Sequence, residues 1–219
     1  MFVNYGQLTI TLRIQMFQMK PNIIFTIGHS NHTADFFLEL LNHFSIDCIV
    51  DVRSMAASRY SPQFNKENLE PFLNRNEIAY LHFAKEFGAR IDNTALHDTS
   101  GKVDFEKVQQ SPKFKKGVKR LGELASEQKK VALMCSEADP FDCHRFSMIA
   151  VYLEKNGFEV HHILKDRTII TNAALEKKMM EKYEKKLPLP DLFNPDVNEG
   201  ERLRAAYRLR NKDVAYEGQ

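Results

Sequence analysis

Short apolar runs alternate with amphipathic runs from residue 22 onward. The apolar runs have the length and composition of buried strands, and between them apolar residues recur at helical spacing. Because these runs are continuous rather than alternating, they are typical of a parallel sheet covered on both faces. The sequence therefore predicts an α/β fold, a Rossmann-like three-layer sandwich with a mainly parallel sheet of about five strands and helices on both faces. The expected strands lie at 23–27, 48–52, 78–81, 131–134 and 158–163.

Polar residues at the starts of the amphipathic runs indicate where helices begin. Thr33 and Asn65 are expected to cap the helices that follow them. Pro112, directly after Ser111, predicts a third helix start. A last helix of the domain is expected over about 172–186 from its charge and capping pattern. The stretch 88–110 is polar and weakly patterned, which indicates a lid, a long binding loop or an element that the pattern does not reveal.

The chain divides into three parts by pattern. Residues 19–186 are expected to form a single α/β domain, since Met19 opens a run that leads directly into the first strand. Residues 1–18 are interpreted as an N-terminal extension that need not be native, with an edge strand over Leu8–Ile14 as the alternative. Residues 187–219 are interpreted as a C-terminal tail, either laid over the domain or free.

Composition narrows the class of protein. Of the 219 residues, 43% are hydrophobic and 27% charged, as in an ordinary globular chain, and the formal net charge of +2 does not require a nucleic-acid partner. The first twenty residues lack the apolar core of a signal peptide or a membrane span, so no membrane partner is expected. Three cysteines are too few for a disulfide scaffold, which favours reduced thiols and a cytoplasmic location.

The densest group of reactive side chains lies between the fourth expected strand and the next helix. Cys135, Glu137, Cys143, His144 and Arg145 bring two thiols, a carboxylate, an imidazole and a guanidinium to one turn. In open α/β sheets, ligands bind in the crevice at the carboxyl ends of the strands, where such turns lie. We therefore expect this turn to supply catalytic groups.

Two other strand ends are expected to border the same crevice. After the first strand, a glycine lets the backbone approach an anion, and the helix start beyond it presents free N–H groups. After the second strand, Asp51 could orient an arginine or accept a proton, and two nearby arginines could clamp a phosphate. Neither a dinucleotide fingerprint nor a P-loop is present. The expected anion-binding residues are Gly28, His29, Ser30, Arg53, Arg59 and Arg145.

Sequence blocks at these strand ends resemble the domain of unknown function 488 family. The blocks are TIGHS, DVRSMAASRY, YLHFAKEFGAR, MCSEADPFDCHR and GFEVHHI, and they occur in the family's order over about residues 22–165. The resemblance implies an α/β domain of bacterial or archaeal type with no settled activity.

Carboxylate chemistry is the first of three candidate chemistries. Adjacent strand ends could bring Glu137 and Asp51 to one pocket with an arginine-bound phosphate. Such a pocket suits glycosyl transfer or hydrolysis on a nucleotide or nucleic-acid substrate, with Glu137 as the favoured catalytic group. The sequence identifies no cofactor.

The other candidates are catalysis by a thiol, metal binding and a binding module without enzymatic activity. A strand, a cysteine, a loop and an arginine resemble rhodaneses and cysteine phosphatases, with Cys135 or Cys143 as nucleophile. However, Cys135 lies ten residues from Arg145, and the loop between them has no glycine. Metal binding by Cys135, Cys143 and His144 ranks third because their spacing is not a usual zinc spacing, so no metal site is expected. A non-enzymatic module that binds nucleotides or nucleic acid stays open.

One segment of the tail indicates a protein partner. Leu189–Phe193, LPDLF, is similar to the short clamp-binding peptides of bacterial replication and repair proteins, although the leading glutamine is missing. Prolines favour the extended form in which such a peptide docks its Leu and Phe in a groove. The alternative is that Leu192 and Phe193 pack onto the chain's own domain.

Overall fold

The computed structural model of the protein describes residues 22–190 and 197–217. Its centre is a six-stranded sheet in the order β3-β2-β4-β1-β5-β6, in which the only antiparallel pair among the described strands is β5 with β6. The strands are β1 (Asn22–Gly28), β2 (Cys48–Asp51), β3 (Ala79–His82), β4 (Val131–Cys135), β5 (Phe158–Ile163) and β6 (Ile169–Thr171). In dinucleotide-binding folds β1 pairs directly with β2, whereas here β4 lies between them.

Helices connect the strands and cover both faces of the sheet. Short 3-10 turns at Pro62–Phe64, Thr94–Leu96, Pro140–Asp142 and Glu184–Lys186 and a π-helical turn at Arg145–Ala150 complete the connections. None of the described helices is long and apolar enough to cross a membrane. The helices are α1 (Ala34–His43), α2 (Lys66–Arg75), α3 (Ala84–Phe87), α4 (Phe105–Gln110), α5 (Pro112–Ser126), α6 (Val151–Lys155), α7 (Asn172–Tyr183) and α8 (Glu199–Val214).

Each face of the sheet has its own core. On one face, α1 and α2 bury residues such as Leu40 and Leu73 against Ile49 and Met134 of the sheet. On the other face, α5 and the helix after β4 pack against alternate residues of the same strands. Both faces are therefore dry, as continuous apolar strands require. The α/β class, the mainly parallel sheet and the helices on both faces are confirmed.

Of two expected helix caps, Thr33 forms its capping hydrogen bond and Asn65 does not. The Thr33 hydroxyl accepts a hydrogen bond from the Phe36 N–H at 3.2 Å, as an N-cap does. Asn65 occupies the N-cap position of α2, but its side chain instead accepts the Ser58 N–H at 2.6 Å. That bond anchors the loop after β2, which carries two of the candidate site residues.

The described part of the tail packs on the domain. Helix α8 lies against α7, where Ala206 and Tyr207 join a third apolar cluster with Phe146. The buried Arg210 guanidinium donates to the Phe141 carbonyl at 3.0 Å and pairs with Asp142 at 2.6 Å. The helix therefore supports the loop after β4. The N-terminal extension with its possible strand Leu8–Ile14, and Leu192 and Phe193, lie outside the described residues.

Acidification should destabilise the fold through a buried histidine. His162 on β5 has no exposed surface, and its Nδ1 lies 2.8 Å from the Thr26 hydroxyl. Burial, together with the nearby Arg145, lowers its pKa to about 3. Between pH 6.5, its ordinary pKa, and pH 3, the unfolded chain binds the proton and the folded chain does not. Stability is therefore lost as the pH falls through this window, by about 1.4 kcal/mol per pH unit.

Urea denaturation at a series of pH values measures this effect. The variant His162→Gln keeps a polar side chain but does not titrate, so its free energy of unfolding should fall less steeply below pH 6.5. Identical slopes for the two proteins would show that His162 does not carry the acid sensitivity.

Candidate functional site

The loops after β1 and β4 are joined by backbone contacts beyond the sheet. The His29 N–H donates to the Cys135 carbonyl and the Ser30 N–H to the Ser136 carbonyl, both at 2.9 Å. A β carbon at Gly28 would lie 1.8 Å from the Glu137 carbonyl oxygen. Glycine at position 28 is thus required for the β4 loop to lie against β1, rather than for approach of an anion.

Replacing Gly28 by alanine should push the β4 loop away from β1. The clash is with backbone, which cannot move aside cheaply, so we expect a loss of about 3 kcal/mol in the free energy of unfolding. The matched control is Gly122→Ala in α5, where the new β carbon would meet Phe158 at an ordinary 3.7 Å. That control should stabilise the helix by about 0.5–1 kcal/mol. Chemical denaturation measures both changes, and equal effects would contradict the close approach.

Asp51 at the end of β2 is the acceptor for a buried ion pair. Its carboxylate accepts the Arg53 Nε–H at 2.9 Å, the Arg53 Nη2–H at 2.6 Å and the Tyr80 hydroxyl at 2.6 Å. The carboxylate is fully buried, and these donors occupy it. Asp51 therefore positions Arg53 and does not line the cleft, and its expected catalytic role stays a prediction.

Contacts with the described residues leave one N–H of Arg53 for a ligand. A guanidinium carries five N–H donors, and four are used by Asp51, the Phe64 carbonyl and His29. Its Nη1 lies 3.0 Å from His29 Nε2. Only 5% of Arg53 is exposed, but that part borders a cleft. Arg53 can therefore contribute one directed donor and a charge that Asp51 largely compensates.

His29 supports Arg53 from behind. Burial, together with the adjacent Arg53 charge, lowers the pKa of His29 to about 4, so the ring is neutral at neutral pH. Its Nε2 then accepts from Arg53, and its Nδ1–H donates to the Ser30 carbonyl at 2.8 Å. The ring also stacks on Phe64, with centroids 4.4 Å apart. His29 holds the arginine and does not reach the cleft.

The loop after β4 gathers the thiols around one imidazole. The Sγ atoms of Cys135 and Cys143 lie 3.7 and 3.6 Å from His144 Nδ1. The Cys135 thiol also donates to the Glu137 carboxylate, 2.9 Å away. The three residues Cys135, Cys143 and His144 are buried, and Glu137 reaches the surface.

The two thiols differ in acidity. The hydrogen bond with Cys143, burial and the Glu137 charge raise the pKa of Cys135 well above its ordinary value. Burial alone would raise the pKa of Cys143 as well, but the Cys135 hydrogen bond and the charges of Arg145 and His144 lower it well below the ordinary value. The thiol nearer the cleft is thus the protonated one, and a protonated thiol is a poor nucleophile.

Arg145 holds the loop instead of an anion. It is fully buried, and its Nη1 and Nη2 donate to the carbonyls of Glu137 at 2.7 Å and Ala138 at 3.0 Å. Because its charged group faces backbone oxygens, it is not available as the expected phosphate ligand. Arg145 is also the first residue of the π-helical turn, and such turns are common near functional sites.

These loops border a cleft of about 420 Å³ at the carboxyl edge of the sheet. Glu137 is the only carboxylate among the described residues that line it, and three arginines line it as well. The exposed Tyr60 stands at its rim with 97% of its surface free. The lining residues are Arg53, Ser54, Met55, Ala57, Ser58, Arg59, Tyr60, Ala89, Arg90, Cys135, Ser136, Glu137 and His144.

The structure brings together part of the expected site. The candidates that line the cleft are Arg53, Arg59, Cys135, Glu137 and His144. The remaining candidates do not line the cleft and are held by the contacts described above or, for Ser30, by backbone pairing with the β4 loop. They are Gly28, His29, Ser30, Asp51, Cys143 and Arg145.

Sequence reasoning missed Arg90 and Tyr60 as site residues. The Arg90 N–H donates to the Ser54 hydroxyl at 2.8 Å, which ties the loop after β3 to the loop after β2. Tyr60 ends the block DVRSMAASRY and Arg90 ends the block YLHFAKEFGAR. Their positions in these family blocks are the sequence feature that indicates them as candidates.

The chain is an α/β protein in which the loops after β2, β3 and β4 meet at one charged cleft. The chain belongs to the family described as "Domain of unknown function DUF488", which it matches over residues 33–153. This match confirms the resemblance seen in the sequence. Neither the curated proteins nor the solved structures contain a match to the chain.

Proposed function

We propose that the cleft binds a phosphate-bearing nucleotide or nucleic-acid substrate and that the protein is an enzyme of the glycosyl-transfer or hydrolysis type. One observation carries this proposal: Glu137, the only carboxylate among the described lining residues, faces a cleft that three arginines also line. Acidic side chains that merely balanced the arginines would pair with them, as Asp51 does with Arg53.

Arg59 and Arg90 are the phosphate ligands in this proposal. Both are exposed at the cleft, whereas Arg53 is neutralised by Asp51. The Arg90 guanidinium lies 5.5 Å above the Tyr216 ring, which holds it at the cleft wall. Neither guanidinium pairs with a carboxylate in the described part of the chain, so the two give the cleft a positive field, and each can bind a phosphate through two N–H donors.

Tyr60 favours a nucleotide over a simple phosphate ester. A tyrosine ring that is 97% exposed beside arginines buries nothing in the fold. Aromatic rings in such positions stack on nucleobases, and each stack contributes about 1–3 kcal/mol. The cleft also shares Arg90 with a neighbouring cavity of about 720 Å³, which offers room for a longer nucleic-acid substrate.

Glu137 has the chemistry for glycosyl transfer with a single carboxylate. The carboxylate takes the proton of the water or alcohol that attacks the sugar carbon, as a new C–O bond forms. The C–N bond to the base breaks, its electron pair leaves with the base, and the proton passes from Glu137 to that base. Two-carboxylate hydrolysis would need Asp51, which is buried in its ion pair.

Binding of adenosine 5′-monophosphate, adenosine and inorganic phosphate tests the cleft. Isothermal titration calorimetry should show that the monophosphate binds more tightly than either fragment. Arg59→Ala and Arg90→Ala should each weaken its binding by about 10-fold or more, since a hydrogen bond to a charged group contributes about 1.5–3 kcal/mol. The exposed Lys119 on α5 supplies the control variant Lys119→Ala, which should bind normally.

Tyr60 variants test the nucleobase contact. Tyr60→Ala should weaken nucleotide binding by about 5-fold to 100-fold, while Tyr60→Phe should keep it because the ring remains. Neither variant should change the binding of inorganic phosphate. Equal binding of all three probes would contradict the nucleotide proposal, and tight nucleotide binding without turnover of any nucleotide tested would favour the non-enzymatic module.

We further propose that Leu189–Phe193 docks on a bacterial sliding clamp. Leu189 is 62% exposed, so the first residue of the segment is free to bind a partner. Leu192→Ala combined with Phe193→Ala should abolish binding to a purified clamp, measured by surface plasmon resonance, without lowering the melting temperature. The buried Leu187 gives the contrast, since Leu187→Ala should lower the melting temperature. A loss of stability in the double variant would instead show that the segment packs on its own domain.

A further inference from the structure

We infer that Cys135, Cys143 and His144 bind one zinc ion in the loop after β4. Their ligand atoms all lie within 4.8 Å of one another. Their spacing in the sequence is not a usual zinc spacing, yet the fold brings the two sulfurs and one ring nitrogen around a common point. The inference does not depend on the proposed substrate, because zinc binding is measured on the protein alone.

The distances fit tetrahedral zinc. With Zn–S bonds of about 2.3 Å and Zn–N bonds of about 2.0–2.1 Å, a sulfur and a nitrogen on the same ion are about 3.6 Å apart. The two sulfur-to-Nδ1 distances are 3.7 Å for Cys135 and 3.6 Å for Cys143. Both sulfur-to-nitrogen separations therefore match those around a tetrahedral zinc ion, and the two sulfurs lie within 4.8 Å of each other.

The surroundings hold these ligands in place. All three side chains are buried, with exposed fractions of 3%, 2% and 7% for Cys135, Cys143 and His144. Among the described residues, the His144 ring makes polar contacts with the two sulfurs alone, and its Nε2 has no partner. Arg145 ties the loop between the cysteines by its bonds to two backbone carbonyls. The Nδ1 atom of the His144 ring therefore faces both sulfurs, as it would if all three atoms bound one metal ion.

Donor chemistry selects the ion. Thiolate and imidazole ligands suit zinc. Binding of the ion displaces the proton that Cys135 donates to Glu137, and the two resulting thiolates neutralise the charge of the ion in a buried site. Three protein ligands leave one tetrahedral position open, as in catalytic rather than structural zinc sites. Cys135 and His144 both border the cleft, and the Glu137 carboxylate is 2.9 Å from the Cys135 sulfur.

Zinc stoichiometry tests the inference directly. The full chain, kept reduced, stripped with a chelator and dialysed against zinc alone, should retain one ion per chain by plasma mass spectrometry. Cys143→Ser and His144→Ala should lose that ion. Cys48 is a third buried cysteine, on β2, and Cys48→Ser should keep it. Absence of zinc from the wild-type chain, or retention by both ligand variants, would overturn the inference.

Cobalt substitution keeps the test valid if a variant fails to fold. The wild-type chain titrated with Co²⁺ should show thiolate-to-cobalt charge-transfer bands and intense visible bands of a tetrahedral ion, saturating at one equivalent. Weak octahedral bands without charge transfer would overturn the site. Nucleotide binding is measured separately by calorimetry, so a failed nucleotide proposal and a failed zinc site give different results.

Discussion

Glu137→Gln should lower the rate of nucleotide N-glycosyl cleavage by a factor on the order of 100 to 10,000, the usual contribution of a positioned acid or base. Glutamine keeps the shape of the side chain and its contact with the Cys135 thiol, but it cannot take a proton from the attacking water. The substrate should still bind, because Arg59, Arg90 and Tyr60 are unchanged. The loss should therefore appear in kcat and not in KM.

Release of free base from a panel of nucleoside 5′-monophosphates, followed by liquid chromatography, measures this rate. Glu127→Gln is the matched control, because Glu127 is exposed after α5 and pairs only with Lys129 among the described residues. It should leave kcat unchanged. Full activity in Glu137→Gln would contradict carboxylate catalysis. Sulfur transfer from thiosulfate to cyanide by the wild-type chain would instead support the rhodanese-like alternative.

The order of elements could be predicted because burial on both faces leaves a clear pattern. Strands such as Val131–Cys135 are continuous apolar runs, and α5 begins at the expected Ser111-Pro112 step. The pattern missed β6, which has only three residues and two exposed ends, and α4, which lies in the polar stretch after Gly88. The pattern also does not predict the order of the strands in the sheet, because the position of β4 between β2 and β1 depends on long-range pairing.

The sequence predicts which strand ends lie together, but it does not predict the contacts that each side chain makes. Parallel strands bring their carboxyl ends to one edge, and Glu137 and Arg59 line the same cleft there. Sequence position does not show which way a side chain turns, and Arg145 turns inward to the loop carbonyls. It also does not show that Cys143 and His144 fold back onto Cys135, because that contact depends on the path of the loop.

Asp51→Asn should destabilise the protein by about 3–5 kcal/mol, the usual effect of removing one partner from a buried ion pair. The Arg53 charge would remain in a site where 5% of the residue is exposed, with no carboxylate to balance it. The new amide N–H groups would also face donors, because Arg53 and the Tyr80 hydroxyl both donate to this side chain. Urea denaturation at neutral pH measures the loss.

Three further variants separate charge from packing. Asp35 is exposed in the first turn of α1, so Asp35→Asn should change stability by less than about 0.5 kcal/mol. Tyr80→Phe removes one hydrogen bond but leaves the ion pair, and it should cost about 1–2 kcal/mol. The double variant Asp51→Asn with Arg53→Met should recover part of the loss, because methionine removes the unpaired charge while filling similar space. If the double variant is instead less stable than Asp51→Asn alone, the unpaired Arg53 charge is not the main cause of the instability, and the packing and hydrogen bonds of the arginine side chain matter more than its ion pair.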